Sequence, residues 1–243
     1  MTEKIEVRFH PHGRLFRRIL HSAFCILALV LFCRPLVSSG QQTGVATLTY
    51  TKVLKGSVPE YISITVDRNG VGTYDGRQLD ESPRPRALKL LPETTEQLFQ
   101  IAASLNDFRS IRLESNKNVA NMGLKTFIYR DDGQENKVEF NYTQNKKAQD
   151  LVNLFEGIAD VEEHIGALEY SARYDVLGLP RALTQVEIDL NNKALVDPEL
   201  MVPILKKIAG DSQYLHIAQV RAADILRRIQ DPNSQTKSGQ HRE

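Results

Sequence analysis

Two hydrophobic periods divide this chain. From Val45 to about Tyr142, β-branched and aromatic residues alternate with polar ones at a period of two; from about Lys146 onward the period is helical. In the first stretch, Val45–Leu54 reads as a strand and Gly56–Pro59 as a connection. Tyr61–Val66 is a second strand, with Ile62, Ile64 and Val66 on one face and Tyr61, Ser63 and Thr65 on the other. Asp67-Arg68-Asn69-Gly70 is a turn. A two-residue Asn-Gly turn would set Thr65 opposite Tyr74. A three-residue loop with Gly70 in the left-handed region sets Ile64 opposite Tyr74 and Val66 opposite Gly72, and this apolar pairing is the one expected. The return strand is Val71–Tyr74, ended by Asp75-Gly76.

Pro83 and Pro85 predict an extended link. Thr94 is the expected N-cap of the next helix, with Gln97 completing a capping box. That helix buries Leu98, Ile101, Ala102 and Leu105, and Phe108 closes the face. Strands Leu124–Tyr129 and Lys137–Tyr142 follow, joined by the hairpin signal Arg130-Asp131-Asp132-Gly133. Turns this short permit only antiparallel pairing. The expected fold is therefore α+β: an antiparallel sheet covered on one face by helices, followed by a C-terminal helical region.

In the rear, a helix is predicted over about Ala148–Tyr174. Leu151, Leu154, Ile158, Val161, Ile165 and Leu168 recur at intervals of three and four, forming a seam that packs within the chain or against another copy. Gly157 and Gly166 weaken it locally. Gly178-Leu179-Pro180 ends it, a short helix runs to about Asn191, and Asp197-Pro198 starts the next, which Gly210-Asp211 ends. The final helix, Gln213–Arg228, carries Leu215, Ala218, Ala222, Ile225 and Ile229 on one face. The last helix pair resembles one unit of a helical repeat through Val202-Pro203, Leu205, Asp211, Val220-Arg221-Ala222-Ala223 and Leu226; one unit predicts a helical hairpin. The domains expected are an export segment at 1–40, a sheet domain at 41–146, a helical region at 147–230 and a disordered tail at 231–243.

A third pattern stands ahead of both periods. Arg14, Arg17 and Arg18 precede an uncharged run from Ser22 to Cys33, and Ser38 and Gly40 give a small-x-small site. Twelve residues span about 18 Å as a helix, against about 30 Å of hydrocarbon, so cleavage near Gly40 is expected rather than a stable span. The alternative is an uncleaved membrane anchor over about residues 19–37. Either way the positive flank predicts that the folded part lies outside the cytoplasm, in the periplasm or secreted. Both cysteines, Cys25 and Cys33, precede the cleavage point. Phe24 and Phe32 stand before them where a lipidation site needs a small residue. Stability must then come from an apolar core without disulfides. The first 40 residues hold six of the 31 basic and two of the 30 acidic residues, leaving the rest at −3. That balance, with no Trp, argues against a nucleic-acid partner and against an aromatic platform for sugars.

The residues Pro59-Glu60-Tyr61, Ile64, Asp67, Gly70, Tyr74 and Gly76 form a Pro-x-Tyr, Asp-x-x-Gly, Tyr-x-Gly strand-hairpin pattern. Over residues 45–160 the chain resembles a small bacterial extracytoplasmic domain of unknown function. The resemblance implies a fold and brings no established activity. Members of that group often carry cysteines before the Pro-x-Tyr element, where this chain has Gly56, Ser57 and Val58. Tyr174–Arg181 resembles the opening of a J domain, but no His-Pro-Asp loop follows, so co-chaperone activity is not expected.

Catalytic patterns are sparse. Glu162, Glu163 and His164 fan around a helix, and no second histidine follows four residues later as a zinc peptidase requires. His164 is expected in solvent, His216 as a packed or surface residue, and His241 in the tail. Asp67, Asp75, Asp80, Asp131 and Asp132 flank hairpins, where turn chemistry explains them, and they lack calcium-loop spacing. Ser104 lacks a nucleophile elbow. Asn141-Tyr142-Thr143 matches a glycosylation acceptor. No catalytic, cofactor or metal residue is assigned. The leading expectation is a non-enzymatic exported protein that binds an extracytoplasmic protein or helps organise the envelope, through the sheet face or the helical seam. The alternatives are a hydrolase using paired carboxylates such as Asp75 and Asp131, and a structural protein that self-associates through the seam.

Overall fold

The alternating segments pair into one sheet. The computed structural model describes residues 45–231; the export segment, its cleavage point near Gly40, Cys25, Cys33, His241 and the tail beyond Asp231 lie outside the described residues. The strands are β1 (Thr47–Val53), β2 (Tyr61–Asp67), β3 (Val71–Arg77), β4 (Arg86–Lys89), β5 (Leu124–Asp131) and β6 (Gln134–Phe140). They lie in the order β4-β3-β2-β1-β5-β6, every neighbour antiparallel. The helices are α1 (Pro92–Ser104), α2 (Lys146–Tyr174), α3 (Leu179–Asn191), α4 (Val202–Gly210) and α5 (His216–Gln230). The chain thus has the expected α+β class, with α1 and the first half of α2 on the sheet and a helical region after it. Among the described residues no helix is long and apolar enough to cross a membrane.

The first hairpin has the three-residue register: Ile64 pairs with Tyr74 and Val66 with Gly72. Gly70 sits at φ 76°, and the Asp67 carboxylate accepts from the backbone N–H of Asn69 and Val71, which fixes the turn. The second hairpin is tighter, with Asp132 and Gly133 both at positive φ between paired Asp131 and Gln134. Strand β4 is a correction to the extended link. The prolines at 83 and 85 stop short of it, and residues 86–89 are free to pair with β3 at Val71–Lys89 and Thr73–Ala87.

A second correction concerns α1. Thr94 is not its N-cap: the helix starts at Pro92, whose missing N–H suits a first helical position. The capping carboxylate comes from a residue distant in sequence. Asp197, buried and at φ 55°, accepts from the Leu91 N–H at 2.9 Å and from the Thr94 hydroxyl. The sequence placed a polar side chain correctly near this helix end but could not show that its partner lay about a hundred residues away.

One sheet face is apolar and covered. Its middle row is Tyr74, Ile64, Tyr50, Phe127 and Val138, all buried. Phe127 gathers the aromatic core, with ring centroids 5.1 Å from Phe108, 5.4 Å from Phe140, 5.6 Å from Tyr50 and 6.3 Å from Phe155. Phe108 reaches it from a left-handed turn at Asn106–Phe108, a conformation that costs about 1–2 kcal/mol per residue.

Helix α2 crosses the strands. The Tyr50 hydroxyl on β1 donates to Glu156 at 3.1 Å, and the Tyr74 hydroxyl on β3 donates to Glu163. Two strand steps measure about 10 Å. Seven helical residues rise about 10.5 Å. The two carboxylates therefore land over the two tyrosines only if α2 runs across the sheet. Gly157 makes room for the loop before α4: a Cβ there would meet Val196 Cγ2 at 2.6 Å and the Ala194 carbonyl at 2.7 Å.

The stripe on α2 is occupied within the chain. Leu151 and Ile158 are buried in the sheet core, Val161 and Leu168 in the helical core, and Leu154 and Ile165 pack against these cores. Helix α2 is thus shared by both cores, and a boundary drawn at residue 146 would assign to the rear a helix whose first half completes the sheet.

Two outcomes are expected. Ile158→Asp places a charge at a fully buried site and should abolish the cooperative unfolding transition, a loss of more than about 4 kcal/mol; a folded monomer derived from a dimeric parent would make the stripe an interface instead. Asp197→Ala should cost about 2 kcal/mol by chemical denaturation. Asp197→Asn, which keeps an acceptor and tolerates the left-handed backbone, should cost less than half as much.

Candidate functional site

Residues that the sequence reading grouped together have gone separate ways. Glu162 pairs with Arg86 at 3.1 Å, Glu163 takes the Tyr74 hydroxyl, and His164 Nε2 meets Asp189 Oδ2 at 2.9 Å. His164 is a correction: it is buried, because α3 packs on the side of α2 that the hydrophobic stripe left unassigned. His216 is exposed at the start of α5. Asp75 pairs with Arg77 at 3.0 Å, while Asp131 closes the far end of β5. Three strand steps and five residues of strand separate Asp75 from Asp131, about 20 Å. A glycosidase pair needs 5–9.5 Å. Asp67 is consumed by its turn, and the Asn141 side chain donates to the Ala120 carbonyl and accepts from the Met122 N–H.

A cleft of about 290 Å³ lies at the β5–β6 end of α2, where Lys52, Lys125 and Glu156 meet. Lys52 Nζ lies 2.8 Å from Glu156. Lys125 is buried and donates to the carbonyls of Met122 at 2.9 Å, Gly123 at 3.3 Å and Asn141 at 3.1 Å. Burial lowers its pKa, Glu156 opposes that shift, and Lys52 reinforces it. All three ammonium donors are taken, so Lys125 ties the loop before β5 to the end of β6 and has no donor left for a ligand.

A different arrangement stands at the other end of α2. Two adjoining hollows of about 640 and 560 Å³ share Arg86, Gly166 and Tyr170. Arg86 comes from β4 and lies over α2. Its Nη2 donates to the Glu162 carbonyl at 2.5 Å and pairs with the Glu162 carboxylate, and its guanidinium stacks over the Tyr74 ring at 5.4 Å. Gly166 eases this: a Cβ there would sit 3.2 Å from Arg86 Nη1, a tight contact that the guanidinium would have to yield to by a few tenths of an ångström. The glycine that reads as a local weakness in the helix is the place where a strand side chain crosses it.

The walls carry exposed aromatic and basic groups. Tyr170 and Tyr174 are 62% and 68% exposed, with ring centroids 5.4 Å apart. Arg173 lies over Tyr174 at 5.8 Å. Lys207 on α4 lines the larger hollow and Arg84 the smaller. Leu177, three residues beyond Tyr174, is 80% exposed. Tyrosine and arginine are the residue types enriched at protein interfaces, because they offer large contact area with a polar tip. The sequence signal existed: Tyr170 and Tyr174 fall off the apolar stripe and one turn apart. Arg84 and Arg86 were hidden in what reads as a proline link.

No family model, curated protein or solved structure matches this chain. Among the described residues, no group of three or more His, Cys, Asp or Glu side chains converges in a way that could hold a metal ion.

The ion pair beneath the groove has a pH signature. Burial pushes the Glu162 carboxyl above its ordinary value of 4.5; Arg86 opposes this, and Glu169 and Glu163 add to it. The folded chain therefore keeps a proton that the unfolded chain releases. The contribution to stability is full below pH 4.5 and is lost as pH rises through the elevated folded pKa. Glu162→Gln does not titrate, so its stability relative to wild type should rise over that window when unfolding is followed at several pH values. A difference that stays flat or moves the other way would contradict the buried-carboxyl account.

Proposed function

We propose that this protein is exported and acts outside the cytoplasm by binding another protein, with the Arg86–Tyr170–Tyr174 groove as its contact surface. The observation that carries the reading is the exposed tyrosine pair on α2 beside Leu177. These large side chains face outward next to arginines, and a hollow runs along them. Fully desolvated Tyr and Arg anchors dominate binding energy when a partner covers them.

Two further points support the reading. The seam residues are packed inside the chain, which leaves the groove as the more available surface. Export is supported by the basic flank and the run from Ser22 to Cys33.

Leu177→Cys supplies a test, since Cys25 and Cys33 are the natural cysteines. A small membrane-impermeant maleimide should label this variant in intact cells. A heterobifunctional maleimide photo-crosslinker attached there should trap one defined protein. That product should disappear when Tyr170→Ala and Tyr174→Ala are added, with the thermal midpoint unchanged because both rings are exposed. Labelling only after cell lysis would remove the extracytoplasmic placement. Products indifferent to the two tyrosines would remove the groove.

A further inference from the structure

The groove has a charge character that narrows its partner. Arg173 and Lys207 line the larger hollow and Arg84 the smaller. None of the three has an ion-pair partner among the described residues. Arg86 is paired through Nη2 only, and its Nη1 lies over Gly166 at the floor shared by both hollows. The smaller hollow is balanced, because Glu163 and Asp175 accept from neutral donors, the Tyr74 hydroxyl and the Gly178 N–H, and keep their charge opposite Arg84 and Arg86. The surplus belongs to the larger hollow, where Arg86, Arg173 and Lys207 face one carboxylate, Glu169.

The chain's own outlying segments do not match this surplus. Residues 1–44 hold six basic and two acidic side chains, and residues 232–243 hold two basic and one acidic. The chain beyond residue 40 is net negative, and these few cations form a local patch rather than the long basic stripe that tracks a nucleic-acid backbone. We infer that the larger hollow of the groove takes an acidic peptide segment of a partner protein, with its carboxylates on Arg86, Arg173 and Lys207 and an apolar or aromatic side chain against Tyr170 and Tyr174. Arginine forks suit carboxylates because two parallel N–H donors meet two oxygens. Tyrosine faces supply contact area at little entropic cost. This inference rests on the reading of the groove as a protein-binding surface and adds the chemistry of what is bound.

The test uses the full-length protein and fluorescein-labelled hexapeptides. Glu-Glu-Leu-Phe-Glu-Glu should bind saturably by anisotropy, and Lys-Lys-Leu-Phe-Lys-Lys should not. Raising salt from 50 to 300 mM should weaken binding at least threefold, as expected when exposed charges meet. Arg173→Glu with Lys207→Glu should weaken it at least tenfold; both side chains are exposed and free of ion pairs, so the thermal midpoint should hold. Absent binding, equal binding of the lysine peptide, or binding unmoved by the charge reversals would overturn the inference. The crosslink from position 177 keeps the two readings separable. A tyrosine-dependent product whose trapped segment is not acidic leaves the binding groove standing and removes the acidic occupant. A trapped acidic segment whose capture is lost in the Arg173→Glu/Lys207→Glu variant supports both.

Discussion

One helix has to serve two cores. Helix α2 is 29 residues, about 44 Å long. Its first half closes the sheet core through Leu151, Phe155 and Ile158, and its second half enters the helical core through Val161 and Leu168. Neither core is complete without it. Polar fastenings hold it in one position along the sheet: Glu156 on Tyr50 and Lys52, Glu163 on Tyr74, and Glu162 on Arg86. Burial pushes the Tyr50 and Tyr74 hydroxyls far above their ordinary pKa, and the neighbouring carboxylates add to the rise. Both phenols therefore stay protonated and remain donors to the helix at any pH the fold meets. Asp197 adds a second tie by capping α1 from the loop ahead of α4. The groove inherits its geometry from this arrangement, because Arg86 belongs to the sheet, Tyr170 and Arg173 to α2, and Lys207 to α4.

Local patterns were legible in the sequence wherever a short-range rule decided them. The register at Ile64–Tyr74 followed from one glycine at positive φ and the preference for apolar pairing. The α2 stripe followed from its spacing. What stayed hidden was set by residues far apart in the chain. Thr94 looked like a cap because the sequence shows Thr and Gln in cap spacing, but it does not show Asp197 arriving from elsewhere. His164 looked solvated because one stripe was read on α2, while the helix is buried on a second side by α3. Gly157 and Gly166 read as weak points, yet at Gly157 another chain segment approaches too closely for a Cβ, and at Gly166 the Arg86 guanidinium lies close over the helix.

The candidate site was less legible than the fold, for a related reason. A groove made of β4, α2 and α4 has no sequence neighbourhood. Its aromatic half could be inferred from Tyr170 and Tyr174 lying off the stripe. Its basic half could not, because Arg84 and Arg86 sit among prolines that suppress any strand pattern. The lysine cleft shows the converse. Lys125, a lysine with lowered pKa beside a hollow, has the profile of a reactive group, but its three carbonyl partners show that it holds a loop in place.

The same prolines and arginines have a consequence for the molecule among its neighbours. An open sheet ends in two strands with unpaired backbone donors and acceptors, which invite other chains to pair and aggregate. Strand β4 is only four residues long, its approach carries Pro83 and Pro85, and Arg84, Arg86 and Lys89 crowd it with positive charge. At the opposite edge, β6 presents Glu135, Lys137 and Glu139 in alternation. The β4 edge repels a copy of itself through like charge, and the β6 edge keeps a charged, hydrated surface, which makes either edge a poor template for another strand.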